Sequence, residues 1–315
     1  MTHVAVIIVN WNGGDLLKAC LDSIKQQTVK PSQIIVVDNA SSDHSLSLAL
    51  DFPGVEVIQF KENAGFAKAN NLAIAHCKTD YIALLNPDAI AHADWLEQLI
   101  NSAKKHPECG AWGSRQMIYG QSNKLDGIGD VYHFSGLAWR RRYGKTLNSD
   151  DLKARFIFSP CACAALYKTQ ALLEVGGFDE DYFCYFEDVD LGFRLQLAGY
   201  PCRYVPNAVV EHVGSYSSGG QHSDFAVYYG HRNLVWTFFK NMPGILFWAC
   251  LPFHLLLNGL SVIYFAIQGQ SRAILRAKID ACYITARLWK KRRETQKKRQ
   301  ISVLHLASLL VWGRK

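Results

Sequence analysis

Between Tyr182 and Tyr200 the chain reads YFCYFEDVDLGFRLQLAGY, which sets Glu187, Asp188 and Asp190 within four residues among aromatic and aliphatic neighbours. Carboxylates repel one another and lose hydration when buried, so this crowding needs a reason. Helix capping is the plainest one. DVDLGFRLQLAGY has the spacing of a helix, with Leu191, Leu195 and Ala198 as its apolar stripe and Gly199 as its stop. Asp190 in the first turn would meet the positive end of the helix dipole, and Arg194 one turn later is its expected ion partner. Capping accounts for one carboxylate readily, for two with effort and for three poorly. A second group of polar residues stands where apolar runs stop: Asn10 and Asn12 in NWNGG, Asp38 in DNASSD, and Asp88 in NPDA. Turn chemistry explains any one of these ends. Three on one sheet edge read as a polar binding rim.

The elements that must position these residues are legible as alternating strands and helices. VAVIIV (Val4 to Val9) is a β-branched run suited to a strand buried on both faces. DLLKACLDSIKQQT follows with Leu17, Cys20, Leu21 and Ile24 at helical spacing. IIVVD (Ile34 to Asp38), VEVIQF (Val55 to Phe60) and YIALLN (Tyr81 to Asn86) are further strands, with AGFAKANNLAIAHC as a helix between the last two. This alternation predicts an α/β fold, a mostly parallel sheet with helices on both faces and ligands at the carboxyl ends of its strands. The middle, Cys109 to Phe158, is less periodic. It holds WRRRYGK, which reads equally as an exposed loop or as a clamp for an anionic substrate. FSPCACAALYKTQALLEVGGFDEDYF then resumes order with a strand, a helix and a Gly-Gly turn.

The 315 residues suit one large domain with an appendage or two modest domains, and 49% hydrophobic content is ample for a core. Charge is divided unevenly. Ser271 to Lys315 carries 13 Lys and Arg against 2 acids, net +11, and the remainder carries 21 against 25, net −4. A mildly acidic body with a basic tail points to an anionic surface, membrane or nucleic acid, as the tail's partner. The N-terminus shows no secretory signal, and the nine cysteines show no paired metal spacing, so they read as reduced apolar residues. Ile245 to Ile267 runs 23 residues without Asp, Glu, Lys or Arg, long enough to span a bilayer. Pro252, His254, Asn258 and Gly259 interrupt it, so a bent, shallowly inserted element is equally expected. SRAILRAKIDACYITARLWKKRR follows as a basic amphipathic helix, with Leu275, Ile279, Cys282, Ala286 and Trp289 as its stripe and Arg272, Arg276, Arg287 and Lys290 flanking it. The plainer alternative is a buried helical subdomain with a solvated basic face.

Six stretches in order, VIIVNWNGGDLLKACLDSI, IIVVDNASSD, ENAGFAKANN, YIALLNPDA, VGGFDEDYFCYFEDVDLGFRLQLAGY and VVEHVGS, resemble the successive motifs of family 2 inverting glycosyltransferases of the GT-A fold. The likeness runs from Val4 to about Ser218 and is greatest to the rhamnosyltransferase-like branch. It implies that Asp188, second of the ED pair, is the general base that takes the acceptor hydroxyl's proton, with Glu187, Asp190 and Arg194 in support. It implies that Asp38 contacts the donor's base and ribose, and that Asn10, Asn12, Asn63 and Asn70 complete the pocket. It places Asp88 on the donor diphosphate and on a divalent cation, Mg²⁺ or Mn²⁺, with His212 as second ligand. Here the sequence departs from the family's two-aspartate form, because Asn86 occupies the first position.

The resemblance further implies a nucleotide-sugar donor, dTDP-rhamnose being the branch's suggestion, and a lipid-linked or oligosaccharide acceptor in cell-surface polysaccharide synthesis. Nucleotide sugars are cytosolic, so a single span would put the basic tail outside, against the tendency of Lys and Arg to stay inside. The expectation is therefore a catalytic domain over 1–240 and a membrane-association region over 241–315. It would lie peripherally or monotopically on the cytoplasmic face of the plasma membrane. Two other classes compete. A nucleotidyltransferase would share the sheet and carboxylates, but no Gly-rich phosphate loop is present. A nucleic-acid-binding protein is suggested by the tail alone; its bases are interleaved with apolar segments, so no nucleic acid is expected.

Overall fold

Every residue of β1 (Val4–Asn10) is buried, as a β-branched run between two helical layers must be. In a computed structural model that describes residues 2–214 and 223–313, β1 pairs in parallel with β2 (Gln33–Asp38) and with β4 (Tyr81–Leu85). Beyond β2, after the short helix α2 (Ser45–Leu50), lies β3 (Val55–Gln59), also parallel. Successive β1 side chains enter opposite layers. Val4, Val6 and Ile8 pack with Leu17, Leu21 and Ile24 of α1 (Gly14–Lys25) and with Trp95 and Leu99 of α4 (Trp95–Lys105). Ile7 and Val9 pack with Ala69 and Ala73 of α3 (Phe66–His76).

Past β4 the sheet changes direction. β11 (Ala164–Lys168) runs antiparallel between β4 and β6 (Ala111–Ile118), and β12 (Cys202–His212) lies parallel to β6. The order is β10-β12-β6-β11-β4-β1-β2-β3, with β10 (Arg155–Ile157) at the edge and the short β5 (Ala89–Ala91) pairing antiparallel with β12 off this path. Apart from the eight-residue β6, the weakly periodic middle folds into strands of three residues: β7 (Leu125–Gly127), β8 (Asp130–Tyr132), β9 (Ala138–Arg140) and β10. Such strands are too short to show an alternating pattern. β8 and β9 form a separate hairpin beside the sheet. After β11 come α5 (Thr169–Val175) and α6 (Glu187–Leu197), with the Gly176–Gly177 turn between.

The C-terminal part is helical: α7 (Asp224–Asn241), α8 (Gly244–Ile267), α9 (Ser271–Tyr283), α10 (Thr285–Lys297) and α11 (Val303–Leu309). The division drawn at 240/241 falls in the last turn of α7, which packs on α9 and α10 as well as on α6. α8 continues through Pro252 as one helix, so the interruption expected there does not break it. The segment expected as one amphipathic helix is instead two, meeting at Ile284. The break lets Ala281, Ile284 and Leu288 close around Trp236, whose Nε1 donates to the Ala281 carbonyl at 3.1 Å. Leu275, Ile279, Cys282, Ala286 and Trp289 all remain on the outer surface; the buried side is Ala273, Ile274, Ala277 and Ala281.

Candidate active site

The carboxyl ends of β1, β2 and β4 open into a cavity of about 1430 Å³. The GFDEDYFCYFED segment reaches it through a backbone that L-residues seldom adopt. Phe183, Tyr185 and Phe186 have φ of 65°, 63° and 69°, each left-handed residue costing on the order of 1–2 kcal/mol. Neighbours compensate. Asn233, fully buried on α7, directs Nδ2 at the carbonyls of Tyr182, Cys184 and Tyr185 at 3.0, 2.9 and 2.7 Å. Arg232 Nη2 donates to the Asp181 and Tyr182 carbonyls, both at 3.0 Å. From the other side the Phe66 amide, first in α3, donates to the Phe183 carbonyl at 2.7 Å. Gly65 is required there, because a Cβ would sit 2.6 Å from that oxygen.

The three crowded carboxylates have three separate environments. Asp190 is fully buried and answers the opening question in part: it is an ionic anchor. Arg194 Nε (2.8 Å), Lys240 Nζ (2.7 Å), Asn241 Nδ2 (2.8 Å) and Tyr182 Oη (3.1 Å) surround it. Burial opposes its charge, but Lys240 and Arg194 hold the carboxyl below its ordinary range. Glu187 is buried at the cavity wall, and its Oε2 has no hydrogen-bond partner among the described residues. Burial, then the nearby Asp188 charge, pushes its carboxyl well above the ordinary range. Asp188 alone is only half-buried and faces the cavity. Its oxygens accept from the Val189 amide (2.8 Å) and the Ala162 amide (3.2 Å). Asp130 of β8 shares that wall, and burial followed by the Asp188 charge raises its carboxyl too. Asp130 was not singled out from the sequence.

The strand-end asparagines divide between wall and frame. Asn63 lines the cavity and accepts from Asn39 Nδ2 at 2.8 Å; Asn39 in turn accepts from the Ala64 amide at 2.8 Å. Asp38 and Asn10 lie fully buried behind that wall. Asn10 Nδ2 reaches Asp38 Oδ1 (3.0 Å), Ser41 Oγ (3.0 Å) and Ser45 Oγ (2.8 Å), and Asp38 Oδ2 accepts from the Ser41 amide (3.1 Å). Asn12, at φ 53°, accepts from the Ser42 amide at 2.7 Å and so ties the first loop to the second. Asn70 bonds back to the Phe66 carbonyl at 2.9 Å within α3. In this conformation Trp11, Asn39 and Asn63 present themselves to the cavity, whereas Asp38, Asn10, Asn12 and Asn70 brace the loops that carry them. Trp11 and Asn39 sit in the motifs NWNGG and DNASSD, where residue type alone does not separate them from Asn10, Asn12 and Asp38.

Asp88, just past β4, and His212, at the end of β12, meet in the same cavity. His212 Nε2 lies 3.2 Å from Asp88 Oδ1 without forming a hydrogen bond, and Asp88 Oδ2 accepts from the Gly214 amide at 3.1 Å. His212 Nδ1 lies 2.8 Å from Asp126 Oδ2, and the neutral tautomer that donates there turns a bare Nε2 toward Asp88. A histidine oriented by a carboxylate, with its second nitrogen beside another carboxylate oxygen, is the donor set expected of a metal ligand with its support. The residues thus fit a divalent cation. Among the described residues no group of three or more His, Cys, Asp or Glu forms a complete cage. A cation here would therefore draw further oxygens from phosphate and water. Asp126, also engaged by Arg140, went unnoticed in the sequence because LDG belongs to a three-residue strand without pattern.

The family model described as glycosyl transferase family 2 matches residues 5–176, more than half of the chain. The chain belongs to glycosyl transferase family 2. This transferase is 29% identical over 245 residues to N-acetylglucosaminyl-diphospho-decaprenol L-rhamnosyltransferase of Mycobacterium tuberculosis, covering 70% of the chain and 79% of the relative. It is 28% identical to the O-antigen chain rhamnosyltransferase RfbN of Salmonella typhimurium, over 68% of the chain and 67% of the relative. Solved neighbours establish the GT-A architecture of the transferase. The mannosyltransferase PcManGT from Pyrobaculum calidifontis, solved with GDP-Man and Mn²⁺, superposes with a TM-score of 0.56 at 19% identity, over 90% of this chain and 88% of that one. GalNAc-T7, solved with UDP, GalNAc and Mn²⁺, gives 0.61 at 16% identity over 75% and 47%.

Proposed function

We propose that this transferase moves a rhamnosyl residue from dTDP-rhamnose to a lipid-linked saccharide in cell-surface polysaccharide synthesis, inverting the anomeric centre in one displacement. The observation that carries the reading is the single cavity shared by Asp188, the one solvent-reaching carboxylate of its cluster, and the Asp88–His212 pair. The acceptor oxygen attacks the anomeric carbon as the carbon–phosphate-oxygen bond breaks, and the nucleoside diphosphate leaves with the bonding pair. The acceptor's proton passes to Asp188. Two amide bonds fix that carboxylate, and burial followed by the Asp188 charge raises the carboxyls of Glu187 and Asp130 beside it. Asp88 and His212 would hold Mg²⁺ or Mn²⁺, which supplies positive charge to the departing diphosphate. The names of the relatives and the Mn²⁺ in the solved neighbours support donor class and metal, and the family's order of motifs supports the role of Asp188.

The test is transfer and donor hydrolysis with a panel of nucleotide sugars, with and without chelator. Rhamnosyl transfer from the dTDP donor, stopped by chelation and restored by Mn²⁺ or Mg²⁺, is the expected result. Transfer of another sugar would correct the donor, and full activity in chelator would remove the metal. Location at the cytoplasmic face of the plasma membrane belongs to the same proposal. It is supported by α8, the one helix among the described residues long and apolar enough to cross a membrane, of which only Leu246, Phe247, Cys250 and His254 are buried.

A further inference from the structure

WRRRYGK, Trp139 to Lys145, has no part in the chemistry above, yet all of its side-chain-bearing residues line the same cavity. Its four cations are not equivalent. Arg140 is neutralised by Asp126. Arg142, at φ 67°, is forked onto Asp151 through Nε and Nη2, both at 3.0 Å, and Nη2 also reaches the Thr146 carbonyl at 2.7 Å. These two clamp the loop. The backbone between them is fixed as well: the Arg141 amide donates to the Gly129 carbonyl at 2.8 Å, and the Ile128 amide to the Arg141 carbonyl at 3.2 Å. Arg141 and Lys145 have no hydrogen-bond or ion partner for their side chains among the described residues. Arg141 is half-buried, and burial, then Arg155, depresses its pKa against the opposing charge of Asp150. A rigidly mounted, partly desolvated guanidinium whose side chain has no partner among the described residues is poised for an anion, and its planar fork suits phosphate.

The surroundings indicate which anion. The cavity exceeds the roughly 300–1,000 Å³ of a pocket for one small ligand, so two substrates fit. Arg141 and Lys145 stand at the open end of the β8–β9 hairpin, beside the strand segments that carry Asp126 and Asp130, and Trp139 lies nearer the turn. Beyond them the β8–β9 turn carries the wall to the apolar helix. His254 Nδ1 of α8 donates to the Ser135 carbonyl at 2.8 Å, and Phe134 stacks on Trp312 and meets Phe253 edge-on, both at 5.0 Å. Phe253 and Trp312 are more than half exposed. The hairpin thus runs from cations and carboxylates at its open end, past Trp139, to the exposed aromatics at its turn beside α8.

We propose that Arg141 and Lys145 bind the diphosphate of a polyprenyl-diphosphate-linked acceptor, with its sugar toward Asp188 and its hydrocarbon along the β8–β9 turn to α8. This rests on the lipid-linked acceptor proposed above. The test uses the full chain in detergent and three acceptors with one saccharide on one short alkyl chain, joined through a diphosphate, a monophosphate or a plain glycosidic oxygen. Wild type should prefer the diphosphate. Arg141→Gln should raise the KM for the diphosphate acceptor by ~10–100-fold, the range for a lost charge-assisted contact, with kcat within a few-fold. Arg141→Lys should recover part of the loss, and Lys145→Gln, at an exposed position, should give a smaller loss in the same direction. The diphosphate-to-glycoside preference should collapse in Arg141→Gln, while dTDP binding by calorimetry stays at the wild-type value. An unchanged preference in both Gln variants overturns the site. Weakened dTDP binding overturns it too, because the cations would then serve the donor. No diphosphate preference in the wild type would fail the acceptor reading itself, before any substitution is made.

Discussion

Asp188 is distinguished from Glu187 and Asp190 by environment rather than by type. Asp190 is saturated with cations and Glu187 is buried with its carboxyl pushed above the ordinary range, whereas Asp188 is half-buried and faces the cavity. Asp188→Asn should lower kcat by ~10²–10⁴-fold while nucleotide binding persists, since a positioned base is worth about that factor. Turnover near wild type would move the role to Asp130 or Glu187. Asp126 acts one step behind the metal pair. Asp126→Asn should weaken Mn²⁺ binding, read by electron paramagnetic resonance, by ~10–100-fold, the usual effect of losing a carboxylate behind a ligating histidine. Undiminished Mn²⁺ affinity would leave Asp126 a mere partner of Arg140. At this scale the sequence was legible where a polar residue interrupts a long apolar run, as at Asp88, or crowds against its own kind, as at Asp188. It was illegible at Asp126 and Asp130, which lie in strands of three residues, and at Asn39, where only the fold decides that it rather than Asp38 meets the cavity.

Among the elements, α7 does what no local pattern announces. Three left-handed residues in the 183–186 loop persist because Asn233 and Arg232 grip the carbonyls around them, and Lys240 bridges Asp179 (2.6 Å) and Asp190 (2.7 Å) below. Asn233→Ala should therefore lower kcat by 10-fold or more at little change in donor KM, with stability falling by ~1–3 kcal/mol for the released carbonyls. Normal kcat in a merely less stable protein would deny it a positioning role. The contact between α8 and the β8–β9 turn gives a pH signature. Burial, reinforced by Lys278, lowers His254 to about 4 against the carbonyl bond of Ser135, and burial with Lys278 lowers His231 to about 3. The unfolded chain then binds more protons between pH 6.5 and 4, so stability rises with pH across that window and is lost as pH falls through it. At ~1.4 kcal/mol per pH unit His254 contributes at most ~3 kcal/mol. Its replacement by Asn should flatten the acid limb of Tm against pH, and an unaltered limb would assign the acid sensitivity elsewhere. The central strands and α6 were readable from β-branched runs and helical spacing. The grip of α7 was not, because its key residues bond across 48 to 51 positions of sequence.

The molecule as a whole joins an acidic body to a helical base with one apolar and basic side. Ile245, Trp248, Leu256, Leu260 and Ile263 of α8 are each more than half exposed, and Leu275 and Ile279 of α9 show on the same count nearly half of their surface or more. So large an uncovered apolar face marks an interaction surface, and the basic residues along α9 and α10 match it to an anionic leaflet. Removing everything after Met242 is a poor test, because Lys291 and Arg287 hold Asp181 of the catalytic segment and Arg292 caps the Phe239 carbonyl. Such a chain would lose activity whatever its membrane affinity. Substitutions on the outer face avoid this. Trp248→Gln with Leu256→Gln, Leu260→Gln and Ile263→Gln should shift the protein from the membrane pellet to the soluble fraction while transfer to a short-chain, water-soluble acceptor continues. Arg272→Gln with Lys290→Gln, both exposed and without ion partners among the described residues, should weaken binding to vesicles containing anionic lipid by ~30-fold, at about 1 kcal/mol per basic residue. Neutral vesicles should show no such change. A wild-type chain that stays soluble without detergent and ignores both kinds of vesicle would refute the membrane assignment, and with it the path proposed for the acceptor's hydrocarbon.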